Sequence, residues 1–536
     1  MIKSLSAEVK YQTLNFITNC KQQPLILFLF TCIVFLTVTK LSLIGNGFLT
    51  FPDEFRYLAS GKALQNFFEL EIKEGFNNLF STKGRPGDAI LKMIPVAIQY
   101  LTANIFELNC FESNNSHPLF LFNFFIHFFI LLVLFKFSKF ILKDYLWALI
   151  CVLLFSSLTN SYIYLRHALP YDASLLIFLL TLYKIALNAK NHNLNYRKSF
   201  LFGIFSFLGF LVYPGYISLY AINLFMILIF NINKTNFSNN IFQTSFFIIG
   251  SIFSLFLFEI MSRLGGRSYI LDSIRLSGTI TQGSFEESFT FIIKYLIEVE
   301  YCAGVIILIS LIFFYHTIFY HIINKTFKQH SFVILLGIAL LVMFLTYASA
   351  GYFLHKVVFY GRLLHQYFPL ICILSVFSLS QILKNTKSKD LVLTALSIIY
   401  IINYGVTLFN YHTIYYPRDI GWVLSKTYQF EDIKEINEYP PYQSLMPSKK
   451  KFVNKNKEHR TKNIIALNMS VFWPINDLSN FHPFYPDENY TLINSIPYFL
   501  NYKAYQYEGY NIDERQNLDK LDLQIKIFQN EHPKLN

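Results

Sequence analysis

Asp53 and Glu54, with Arg56 two positions on, are the residues of this chain best suited to chemistry. Adjacent carboxylates can take a proton from an attacking hydroxyl or hold a divalent cation, and a guanidinium can hold an anion. Their setting sharpens that reading. They follow an apolar run, residues 24–44, that is long enough to cross a bilayer. Carboxylates so close to hydrocarbon are costly to keep unless something uses them. Further charged residues recur in later polar segments: Arg85 and Asp88 around Pro86-Gly87, Arg166-His167 with Asp172 beyond, Arg263, Arg267 and Arg275 around Gly265-Gly266, and Arg362. Acids suit a general base or a metal ligand, whereas arginine forks suit a phosphate that is held or is leaving.

The elements that must position these groups are apolar helices. Runs of about spanning length fall at 24–46, 118–136, 144–160, 169–187, 199–213, 215–231, 241–262, 296–320, 331–351, 367–383 and 391–410. The two runs either side of Val212-Tyr213-Pro214-Gly215 also read as one broken helix. Lysines alternate between the connecting loops. Lys3, Lys10 and Lys21, Lys136, Lys139 and Lys143, Lys184, Lys190 and Lys198, Lys325 and Lys328, and Lys384, Lys387 and Lys389 all fall on one side if the N-terminus is cytoplasmic. The charged residues named above then share the opposite, outer side. There the first loop, residues 45–118, carries two amphipathic stretches, 55–68 and 88–105, which read as helices lying in the interface.

Composition agrees. Of 536 residues, 54% are hydrophobic and 15% charged, with a mean hydropathy of +0.38, which excludes an ordinary soluble domain. The net charge of +12 sits largely in lysine-bearing loops, where it sets topology and is no sign of nucleic acid. Six scattered cysteines without a Cys-x-x-Cys pair imply neither a disulfide framework nor a zinc site. The first apolar run lacks a small-residue cleavage site and reads as a retained span. The expected protein is an α-helical polytopic membrane protein of about eleven transmembrane helices. Residues 1–410 form the membrane domain, and residues 411–536 form a small α+β domain outside it, with a strand-like run at 463–471.

Asp53-Glu54-Phe55-Arg56-Tyr57 just after the first span resembles the acidic motif of GT-C superfamily glycosyltransferases, among them the protein O-mannosyltransferases and the bacterial lipid A aminoarabinose transferases. Lys83-Gly84-Arg85-Pro86, the run Arg166 to Asp172, and Gly361-Arg362-Leu363-Leu364 with Pro369 are similar to later elements of those families in order and in side. Arg362 is followed by Leu where the family has Tyr, and Tyr213-Pro214-Gly215 replaces a basic element. The resemblance covers about residues 1–410 and implies a GT-C-like fold in the inner membrane, with the tail periplasmic or extracellular. It also implies an inverting displacement from a polyprenyl-phosphate-linked sugar to a lipid, glycan or protein acceptor. Asp53 would then be the base and Glu54 its partner, while Arg362, Arg263, Arg267, Arg85 and Arg166 would hold the donor phosphate. Some members use a divalent cation (Mg, Mn or Zn), for which Asp53 and Asp172 are the ligands to expect.

Plainer roles exist for the same residues. Acids cap helices, and arginines reach headgroups from span ends. His316, His321, His355 and His365 read as structural. Two other functions compete: an O-antigen or polysaccharide polymerase or ligase, and a transporter of lipid-linked glycan. The former carries its large loop late, whereas the acidic loop here is the first. A transporter should bury ionisable groups at mid-span.

Overall fold

A computed structural model describes residues 24–44, 54, 56–81, 85–106, 117–191, 193–229, 237–279, 286–323, 331–355, 360–384, 386–414, 433–435, 463–467, 490–508, 510–521 and 523–530. All eleven apolar runs are helical. Among the described residues, seven helices are long and apolar enough to cross a membrane: Pro24–Leu43, Pro118–Leu142, Tyr171–Lys190, Asn239–Leu264, Tyr301–Tyr320, Phe332–Leu354 and Lys389–Thr413. An eighth span is counted if Tyr145–Ser157 and Thr159–Arg166, bent by 77° at Leu158, are taken together. The remaining three runs form shorter helices, Tyr196–Val212, Ile217–Ile229 and Phe368–Ile382. Each of the eleven expected runs thus carries helix, while among the described residues seven helices, or eight with the bent pair, have the length and apolarity of a span.

Two of the shorter helices, Tyr145–Ser157 and Phe368–Ile382, occupy the interior. Every residue from Leu146 to Ser157 is buried, as is every residue from Phe368 to Ser378. A helix that is apolar all round belongs inside protein and does not need the full bilayer thickness. The first span behaves differently. Ile26, Leu29, Ile33 and Leu36 are buried on one stripe, while Leu27, Phe28, Phe35 and Val38 are exposed on the other, as a lipid-facing helix requires. Tyr196–Val212 and Phe237–Leu264 pack closely because Gly203 lies against the backbone of Phe247 and Gly250 against that of Phe200, where no side chain fits.

The break before Pro214 is real: the preceding helix ends at Val212, and the next starts at Ile217 after a single 3-10 turn. Proline lacks the N–H that would continue the ladder. The run expected to begin at 296 is also interrupted. A short helix, Phe291–Glu298, ends there, and the span begins at Tyr301, whose φ of 46° lies in the left-handed region.

After the first span the two expected amphipathic helices are present as Arg56–Phe68 and Pro86–Phe106, with a third, Ile72–Phe80, between them. The C-terminal part forms a small sheet in which Tyr490–Pro497 and Gln524–Asn530 pair antiparallel, and Asn463–Leu467 adds to the latter strand. This part does not stand apart. Tyr498, Tyr502, Tyr505 and Tyr507 belong to the same buried apolar cluster as the helices.

Candidate active site

The segment Thr159–Arg166 and the turn after it, up to Asp172, form the spine of the site. Its sharp departure from the preceding helix is held by an acid from elsewhere. Glu300, fully buried, accepts the N–H groups of Thr159 at 2.7 Å and Asn160 at 2.8 Å, the two donors that a new helix start would leave unpaired. Asn160 in turn donates to the Tyr295 hydroxyl at 2.8 Å and to the Gly361 carbonyl at 2.9 Å, fixing the turn that carries Arg362.

On one side of this spine lies Glu54. It is fully buried and accepts the Ala168 N–H at 3.0 Å, with His167 Nδ1 3.4 Å from the same oxygen. The other ring nitrogen of His167 is 3.0 Å from the Tyr505 hydroxyl, which is 3.0 Å from that of Tyr411. A line of close polar contacts through Glu54, His167, Tyr505 and Tyr411 therefore joins the segment after the first span to the C-terminal segment. Arg166 lies over the Tyr411 ring at 4.1 Å. From the amphipathic helix Pro86–Phe106, Lys92 donates to Asp88 at 2.7 Å and to the Ala168 carbonyl at 2.6 Å. Asp53 lies outside the described residues.

On the other side lies Asp172. Its Oδ1 is 3.1 Å from His365 Nε2, and His365 Nδ1 is 2.7 Å from the Tyr216 hydroxyl. Glu508, from the C-terminal segment, accepts the Tyr164 hydroxyl at 2.5 Å and lies 3.9 Å from Arg362 Nε. Burial pushes the Glu508 carboxyl up to about 7, against the opposing pull of Arg362. Rings connect these groups. Tyr164, Tyr171, Tyr213 and Tyr216 meet edge to face, and Arg85 sits 4.9 Å from the Tyr213 ring.

Glu54, Arg85, Arg166, Asp172 and Arg362 thus gather around residues 164–172. Arg263 and Arg267 pair locally with Glu259 at 2.7 Å and Asp272 at 3.3 Å, on exposed side chains. That leaves lipid headgroups as their natural neighbours. Asp172 and His365 offer two ligands to a cation, while among the described residues no group of three or more His, Cys, Asp or Glu is arranged to hold one. His365, read from the sequence as structural, lies against Asp172 in this group. Sequence reasoning missed Glu508, Tyr505 and Glu300 as parts of the site. Glu508 and Tyr505 are more than three hundred positions from their partners Tyr164 and His167, and no local pattern marks such residues.

No family model matches the chain, and no curated protein matches it either.

Proposed function

We propose that this protein is an integral-membrane glycosyltransferase that moves a sugar from a polyprenyl-phosphate donor to an acceptor at the outer membrane face, with inversion. The observation that carries this reading is the gathering of Glu54, Arg166, Asp172, Arg362 and Glu508 around residues 164–172, with Asp53 next to Glu54 in the sequence. Two kinds of group are needed for displacement at a sugar carbon. A carboxylate takes the acceptor proton, and a cation receives the charge that builds on the departing phosphate. Asp53 is the base in this reading, Arg362 the phosphate group, and the Glu54–His167 pair holds the loop that brings them together. The N-terminus is cytoplasmic, and the C-terminal segment faces the periplasm or exterior.

One observation favours a second reading, a transporter of lipid-linked glycan. Lys40, fully buried at the end of the first span, donates to Ser156 at 2.9 Å and lies 3.0 Å from His127, itself buried within a span. Such groups accompany substrate or ion paths. The test is Asp53→Asn in purified protein with a defined polyprenyl-phosphate sugar. Transfer should fall by about 10²–10⁴-fold while the protein stays folded and membrane-inserted. Near-normal transfer would remove the proposed mechanism, and donor movement across vesicles without transfer would favour the transporter.

A further inference from the structure

The C-terminal segment places an acid against the very arginine assigned to the phosphate. Glu508 Oε2 is 3.9 Å from Arg362 Nε, and Oε1 is held by the Tyr164 hydroxyl at 2.5 Å. The carboxylate is brought in by the backbone: Gly361 N–H donates to the Tyr507 carbonyl at 3.0 Å. Gly361 must be glycine for this approach, because a Cβ there would lie 2.6 Å from Glu508 Oε1 and 2.9 Å from the Tyr295 ring. The segment is anchored further along by Arg515, which donates to both oxygens of Glu287 at 2.8 and 2.7 Å. Burial raises the Glu287 carboxyl, but hydrogen bonds from Lys294 and Arg515 outweigh it and hold the group below its ordinary value, so this anchor stays charged near neutrality.

A carboxylate beside a guanidinium has the charge and shape of a phosphate edge. We infer that Glu508 stands in for a phosphate oxygen at Arg362, and that an incoming lipid-linked phosphate takes over the guanidinium while Glu508 accepts a proton from solvent. This rests on the reading of Arg362 as a donor-phosphate group. An ionised Glu508 would face the phosphate as a like charge in a partly water-excluded site. Protonation removes that repulsion and leaves a neutral donor. The titratable and charged groups facing Glu508 are Arg362 and Tyr360 from one turn, Tyr164 from the spine, Tyr295 from Phe291–Glu298, and Tyr216. The tyrosines are neutral in the relevant range, so Arg362 and the bound phosphate set the charge balance. Because Glu508 titrates at about 7, the exchange is poised near neutral pH.

The experiment uses the full-length protein in detergent and a short-chain prenyl methyl phosphodiester, whose own charge is constant over the range tested. Wild-type affinity should fall about thirtyfold between about pH 5.5 and about pH 8.5, as Glu508 ionises and competes for Arg362. Glu508→Gln should bind at both values as wild type does at the lower one, and Arg362→Ala should bind weakly throughout. If Glu508→Gln does not fold, calorimetry on wild type in buffers of different ionisation enthalpy provides the readout. About one proton should be taken up per ligand near the higher pH and about none near the lower. Binding that is tight but independent of pH, or a fall that survives in Glu508→Gln, overturns the role of Glu508 alone. Absence of binding at either pH overturns this inference and the polyprenyl-phosphate reading together.

Discussion

At the scale of single residues, the polar groups of this site divide by what they touch. Glu54 has no exposed surface, and the contacts of its Oε1 are the Ala168 N–H and His167. It therefore holds its segment in place, and under the proposed function the base role falls to its sequence neighbour Asp53. A buried acceptor that is removed leaves its donors unpaired, at a cost of about 1–3 kcal/mol. Glu54→Gln keeps an oxygen for Ala168 but gives His167 a neutral partner, so it should lose the smaller part of that amount. Glu54→Ala should lose all of it. Thermal unfolding of the two variants in one detergent would show the order wild type, Gln, Ala, and equal melting of Ala and wild type would mean that Glu54 positions nothing. The acid pair itself was legible in the sequence because hydropathy fixed its place beside a span. The contacts of Glu54 were not, because its partners Ala168 and His167 lie more than a hundred positions away.

At the scale of elements, the bend at Leu158 shows what patterning can and cannot announce. The apolar run 144–160 reads as one helix, and no proline or glycine interrupts Ser156-Ser157-Leu158-Thr159. The break comes instead from a tertiary partner, since Glu300 offers the Thr159 and Asn160 N–H groups better acceptors than a continued helix could. The opposite holds at Pro214, where a local cause lets the sequence mark the break. Glu300→Gln can accept one of the two N–H groups, but its amide would face the other. The expected loss is about 1–3 kcal/mol, concentrated near the bend. Hydrogen exchange should quicken over residues 158–166 while the distant helix Lys389–Thr413 keeps its protection. Because Asn160 also holds the Gly361 carbonyl, the turn bearing Arg362 should loosen with it. Uniform exchange in the variant would show that Glu300 is not what holds the bend.

At the scale of the whole molecule, the lysine pattern and the side-chain contacts group the same segments. The lysine pattern assigns residues 45–118, 160–168, 263–294, 352–366 and 411–536 to one side of the membrane. The contacts connect the same segments without reference to charge. Glu54 meets Ala168, Lys92 meets Ala168, Asn160 meets Gly361, Glu287 meets Arg515, and Tyr505 meets His167. Side chains joined at these distances must occupy one end of the bundle, so an assignment that split them across the bilayer would be impossible. This also changes the meaning of the tail. Composition suggests a separate outer domain, whereas its tyrosines and Glu508 complete a site whose other walls are helices. The shared side can be read directly. Reporter fusions after Lys190 and after Lys389 should give a cytoplasmic signal, and fusions after Ser116 and at the C-terminus an external one. A cytoplasmic signal at the C-terminus with an external one after Ser116 would separate Glu508 from the loop of Glu54, and with it would fall both the single outer site and the chemistry assigned to it.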